Sequence, residues 1–295
     1  MSMKRFNVSL LFLALTAPLW SQGPITSQAI QQAQEGRTEA AALTVDDAIK
    51  GLEGQDAMTW YVKAFIQKTL YVERDGRDPG SPARDVAVGA ILRSHELDQN
   101  GRLSERLEPL LTFLAETHLE DARDAIRTST PGDATSAQRH FEQYALLQSA
   151  VDPMWDPTPD AVLLDQQLAE FAFARAETEE RTAAGPWFAW GVQRYSAAAN
   201  QGHDQYRSLY NLAVHTYNQG VRQFKAAEDN LDALDNALKN AAVLWRIAAE
   251  ELEEAIEIDP NRPTGYEALA VVSEALLNQD RIEWCKTHLS ELGGR

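Results

Sequence analysis

Apolar positions recur at intervals of three and four along most of the chain, and no segment alternates with period two over strand length. β-branched residues are sparse, so an all-α chain is expected, with connections short enough for antiparallel helical neighbours. Residues 27–51 are Ala- and Gln-rich and helix-prone, with Gly36 and the Thr44-Val45-Asp46-Asp47 run expected to interrupt them. A stronger helix is predicted over 57–71, with Trp60, Ala64, Phe65 or Ile66, and Leu70 on one face. Further helix signals cover 85–97, 103–127, 134–149, 161–179 and 186–200. Between them lie the Gly/Pro/Asp-rich breaks DGRDPGSPAR at 75–84, DQNG at 98–101, TSTPGD at 128–133, DPMWDPTPD at 152–160 and QGHD at 201–204.

Internal similarity at a period near 34 residues is the most informative pattern. Its traces run through Gly191, Tyr195 and Ala199, then Tyr210, Ala213, Val214 and Tyr217. They continue through Ala248, Leu252, Ala255 and Pro260, then Tyr266, Leu269, Ala270 and Ser273. The stretch LEEAIEIDPNRPTGYEAL carries the best-kept register, and the chain resembles the tetratricopeptide (TPR) repeat family over roughly 44–292. Gly132-Asp133, Ala137, Phe141 and Tyr144 look like half of another unit, as do Trp60 and Ala64. About four units are expected. The departures are Val214 and Ala270 in place of Gly, Ser273 in place of Tyr, and Gln67 where Tyr belongs. The resemblance implies a right-handed helical-hairpin solenoid.

Val214 and Ala248 are 34 residues apart, where the family pattern needs about 12, so roughly 22 are inserted, at about 221–244. Phe224, Ala227, Leu231, Leu234, Leu238, Ala241, Trp245, Ala248, Leu252 and Ala255 form a heptad stripe across it. One extended antiparallel helix pair is therefore expected, breaking at Asp229-Asn230, in preference to one unbroken helix over 206–256.

The formal net charge of −17 argues against nucleic-acid backbones or anionic lipid as partners. This acidity fits both a salt-rich setting and an ordinary surface kept soluble by self-repulsion. Residues 1–22 read as a secretory signal, with Lys4 and Arg5 before the apolar run VSLLFLALTAPLW. An uncleaved N-terminal anchor is the other reading, because Leu19 and Trp20 make a poor cleavage site. No other run approaches the roughly 20 apolar residues of a membrane span, so none is expected in the mature chain. The expected domains are 23–160, with degenerate repeats, and 161–295, with the repeats that carry the insertion. Cys285 is the only cysteine and reads as a small apolar residue on a helix face.

Residues 96–104 resemble part of an EF-hand loop, but Leu107 stands where the closing carboxylate belongs, and a helix C-cap at Gly101 explains the same residues. The histidines are dispersed, no GxSxG, P-loop or GxGxxG occurs, and no catalytic residue, cofactor or metal is expected. Carboxylate pairs such as Glu250-Glu251 read as a solvated helix face, and most tryptophans as core. The TPR resemblance implies a groove lined by the first helices of successive units. Asn211, His215 and Asn218 beside Tyr210 would face it, with Glu267, Val271 and Glu274 as counterparts beside Tyr266. The sequence thus points to an exported, periplasmic or secreted scaffold that binds a protein or peptide partner in the cell envelope, without catalysis. The alternative is a glycan- or nutrient-binding envelope protein using Trp155, which lies between prolines.

Overall fold

The computed structural model describes residues 23–227 and 231–293, without the side chains of residues 181, 182, 231 and 232. The expected signal at 1–22 and the Asp229-Asn230 break lie outside the described residues. Among the described residues there are twelve α-helices, one 3-10 turn and no strand beyond an isolated bridge at Thr130–Asp133. The chain divides into two units. One comprises the residues up to Asp124 with Ser136–Trp155, and the other comprises Ala125–Thr135 with Asp156 onward.

The first unit contains α1 (Pro24–Gln34), α2 (Thr38–Lys50), a 3-10 turn (Leu52–Gln55), α3 (Ala57–Glu73) and α4 (Pro82–Leu97). It also holds most of α5 (Ser104–Ile126) and of α6 (Thr135–Val151). α1 packs on α2, α2 on α3, and α3 on α4. Gly36 takes a φ of 76° and ends the first helix, as its glycine predicts. The Thr44–Asp47 run, in contrast, interrupts nothing. Thr44 Oγ1 donates to Ala40 O at 3.0 Å and to Gln32 Oε1 at 2.8 Å, while Val45 is fully buried, so the helix carries through. The start of α1 has no cap of its own. Glu53 supplies one from the 3-10 turn, accepting from the backbone N–H groups of Ile25 (3.1 Å) and Thr26 (2.8 Å).

α3 is the centre of this unit, with Tyr61, Val62, Ala64, Phe65, Ile66, Leu70 and Tyr71 all buried. Each such large apolar side chain contributes roughly 1.5–3 kcal/mol relative to exposure. Arg84 lies in the first turns of α4 rather than in the loop and is fully buried. It pairs with Asp121, donates to Pro79 O at 2.6 Å and lies over the Tyr71 ring. One guanidinium thereby joins the 75–81 loop, α3 and α5. Beside it, His118 and His140 are buried with their Nδ1 atoms 3.2 Å apart, and His118 Nε2 has no partner. Burial, then the charge of Arg84, pushes the pKa of His118 down to about 3.

The second unit holds α7 (Thr158–Thr178), α8 (Arg181–Asn200), α9 (Gln205–Lys225), α10 (Leu231–Ile258), α11 (Pro263–Ala275) and α12 (Gln279–Gly293). They pack pairwise in chain order, α7 with α8, α9 with α10 and α11 with α12, and α10 also packs on α11. α8 begins before Pro186, which sits inside the helix rather than at its start. α9 and α10, at 21 and 28 residues, exceed α11 and α12, at 13 and 15, while α7 and α8, at 21 and 20, match α9, so the extra length of the pair lies mostly in α10. α9 ends at Lys225, which excludes an unbroken helix over 206–256. The heptad stripe is buried at Ala227, Ala241, Trp245, Ala248, Leu252 and Ala255, yet Leu238 is 45% exposed, so the early part of α10 leaves a gap in the stripe. Cys285 is a free, fully buried thiol.

Two consequences of the first unit are measurable. Asp121→Asn leaves a buried guanidinium without its counter-charge and is expected to cost about 3–5 kcal/mol in urea unfolding. His118 stays neutral in the folded state, while the unfolded state takes up a proton below its ordinary 6.5. Stability is therefore expected to fall as pH drops below 6.5, and His118→Gln is expected to flatten the thermal-melt profile between pH 7 and pH 5.5.

Candidate functional site

In the second unit, α7 and α9 lie side by side. Gln166 donates to Ser208 at 3.0 Å, Glu170 meets His215 at 3.4 Å and Glu177 meets Arg222 at 3.4 Å. These three rungs run in the same direction along both helices at nearly constant offset, so the two helices are parallel. That is the relation expected of the first helices of two consecutive hairpins. The Gln166–Ser208 rung separates residues 42 apart in sequence, and the Tyr206–Thr264 hydrogen bond, from α9 to the start of α11, residues 58 apart. Units of unequal length, rather than a uniform repeat of about 34, thus make up this part.

The middle of the α7/α9 seam is a closed network. Tyr195 on α8 donates to Glu170 Oε1, and Asn211 Nδ2 donates to the Tyr195 hydroxyl at 3.1 Å. The His215 ring stacks on Phe173 with centroids 4.1 Å apart, and Phe173 stacks in turn on Tyr195 at 6.0 Å. Phe173 can lie there because α8 carries Gly191, where a Cβ would come within 2.9 Å of its ring. The hydrogen bond from His215 holds the Glu170 carboxyl below its usual range, with Tyr195 adding to the effect. Burial, then the bond to Glu170, pushes the Tyr195 phenol upward, so it remains a donor. His215 Nδ1 is buried without a partner.

The five residues expected to line a groove therefore separate into two groups. Asn211 and His215 are half-buried and committed to Tyr195, Glu170 and Phe173. Asn218 on α9 and Glu267 and Glu274 on α11 are exposed, as is Val271. The structure adds Glu170, Phe173, Glu177 and Arg222 to this face. The i, i+7 spacing of Glu170 and Glu177, matched by that of His215 and Arg222, is the sequence signal that could have found them.

Other candidates resolve differently. Asp98 accepts from Arg102 N at 2.9 Å and Leu103 N at 2.7 Å, so both its oxygens close the turn between α4 and α5. Among the described residues no group of three or more His, Cys, Asp or Glu is placed to hold a metal. Trp155 lies against the first unit's core, edge-on to Tyr144 at 5.5 Å, rather than standing free. Trp284, at 42% exposure, is the more open indole, its ring tilted against those of His288 and Tyr266.

Glu251 corrects the expectation of a solvated face. It points between helices, with Oε2 buried and Thr216 of α9 facing it. Burial pushes its pKa from 4.5 up to about 8, with the charges of Glu254 and Glu250 adding to the rise. The folded state keeps this proton to higher pH than the unfolded state does, so stability is lost as pH rises from 4.5 through about 8. Glu251→Gln removes that loss and is expected to stabilise the protein by about 1–3 kcal/mol at pH 8.5, and little at pH 4.5, in denaturant titrations at the two pH values.

Among the described residues no helix is long and apolar enough to cross a membrane. No protein-family model matches the chain, and no curated protein matches it. Among solved structures it is similar to a circular tandem repeat protein with novel repeat topology and enhanced subunit contact surfaces. The match has 15% sequence identity and a TM-score of 0.23, and covers 91% of this chain but 62% of that one. The chain thus spans less than two thirds of that protein's length. On its own paired helices, it is an all-α protein of helical-hairpin repeat organisation.

Proposed function

We propose that the chain is an exported, TPR-like scaffold that docks an extended peptide of a protein partner along the α9/α11 face of its second unit, without catalysis. The observation that carries this reading is the split among the groove residues. Asn211 and His215 are held rigid by the Glu170–Tyr195–Phe173 network, while Asn218, Glu267 and Glu274 are left open to solvent. A rigid base under open amide and carboxylate groups suits recognition of peptide N–H and C=O groups at low ordering cost. The Lys4-Arg5 start and apolar run at residues 1–22 support export to the periplasm or beyond.

A photo-crosslinking residue placed at Asn218, Glu267 or Glu274 is expected to trap a peptide selected from a displayed library, whereas one at exposed Lys286 on α12 is not. Equal trapping at Lys286, or none at the three positions, contradicts the reading. Asn218→Ala is expected to weaken the selected peptide about fivefold, the effect of losing one hydrogen bond of about 1 kcal/mol, with unchanged circular dichroism.

A further inference from the structure

The first unit carries a second feature, independent of the peptide face. Lys68 on α3 is 8% exposed, and its ammonium lies 4.9 Å from the centre of the Phe113 ring on α5 and 5.9 Å from that of Phe65. Arg77, in the loop after α3, brings its guanidinium to 5.4 Å from the centre of the same Phe113 ring. Among the described residues neither cation makes an ion pair or a side-chain hydrogen bond, although the chain as a whole carries a net charge of −17. Most of the other cations have found carboxylates. Lys50, Lys63, Arg74, Arg84, Arg175 and Arg194 each have one.

An ammonium largely withdrawn from water without a counter-charge is costly, and a second cation on the same ring adds repulsion. Burial, then Arg77, draws the Lys68 pKa down, and the charge of Glu73 acts in the opposite direction. Cation–π attraction to Phe113 offsets part of this and keeps both groups at one place without neutralising either. The arrangement is held from the backbone as well. Arg77 sits at φ 64°, in the left-handed region disfavoured for any residue with a Cβ, and its N–H donates to Tyr71 O at 3.0 Å. A glycine would relieve that strain, yet the position carries a long cation aimed at Phe113.

We propose that Lys68 and Arg77, set on the ring of Phe113, form a binding site for an oxyanion group, a carboxylate or a phosphate. The bound anion supplies the charge that the buried ammonium lacks, screens the two cations from each other and leaves Phe113 as an apolar wall. Lys68 provides a fixed point charge. Arg77, exposed on its loop, closes over the anion with its planar fork.

The test is a titration of the full chain with inorganic phosphate and, separately, with acetate, at ionic strength held constant with sodium chloride. The ε-methylene signals of carbon-13-labelled lysine are followed, Lys68 being assigned by its loss in Lys68→Met. A saturable shift at Lys68, absent from the exposed and ion-paired Lys50 and Lys239, is the expected result. Saturation by phosphate alone assigns a phosphate-bearing ligand, and saturation by acetate, with or without phosphate, a carboxylate-bearing one. Arg77→Gly, which suits the backbone and so keeps the fold, is expected to weaken the anion about tenfold or more, as loss of a charge-assisted contact does. By calorimetry, Lys68→Met is expected to give no binding heat. Shifts that grow alike at all three lysines, no saturation by either anion, or unchanged affinity in Arg77→Gly overturns the site.

Discussion

The second unit depends on close approach between helices at a few points where nothing larger than a hydrogen fits. A Cβ on Gly191 would meet Phe173, one on Gly220 would come within 2.6 Å of Trp245 Nε1, and one on Gly265 would come within 2.8 Å of Ile256 and 3.2 Å of the Tyr206 hydroxyl. Each is a step in the stack, from α8 to α7, from α9 to α10, and from α11 to α10 and α9. Large residues on one helix drop into these gaps, which brings the axes together and lets Ala213, Ala248 and Ala255 disappear from solvent. The parallel seam of α7 and α9 follows from this packing, because Phe173, once seated over Gly191, presents its other side to His215.

The polar chemistry is a consequence of the same geometry. First helices brought side by side bury polar groups in the seam, and Gln166–Ser208, Glu170–His215 and Glu177–Arg222 pair there in sequence, while His215 Nδ1 and the Nε and Nη2 of Arg222 stay unpartnered. Farther along, where α9 and α11 offer their outer positions, Asn218, Glu267 and Glu274 meet no such neighbour and stay open. The first unit solves its own interior differently. It places Arg84, the His118–His140 pair and Lys68 inside, so its core is more polar and more pH-sensitive than the periodic pattern of its helices suggests.

Local signals are legible in the sequence. Gly36 and the proline-rich break at 152–160 stop helices where they stand, because backbone preference decides such points. The lengthened α9/α10 pair was legible because three-and-four spacing persists through the insertion. What escaped depended on neighbours. Thr44–Asp47 looks like a cap, but its hydroxyl bonds within the helix and Val45 is needed in the core. Arg84 sits in a string of loop-forming residues, and nothing nearby in sequence announces Asp121. Glu251 is one of several paired glutamates, distinguished only by the helix that covers it. Leu238 fits the heptad, yet it stands 45% exposed. Of the candidate groove, the residue types at 211, 215 and 218 were legible. The commitment of two of them to groups on α7 and α8 was not, because it arises from residues as far as 45 positions away.

The parallel register of α7 and α9 underlies both the packing and the proposed binding face, and a double-mutant cycle tests it. Gln166→Ala and Ser208→Ala, made singly and together, measure the coupling of two buried side chains that meet at 3.0 Å. In urea unfolding the pair is expected to be coupled by about 0.5–1.5 kcal/mol, whereas Gln166→Ala with Asn218→Ala is expected to be additive. Additivity of the 166 and 208 substitutions, or equal coupling in the control pair, would contradict the register and the continuous face built on it.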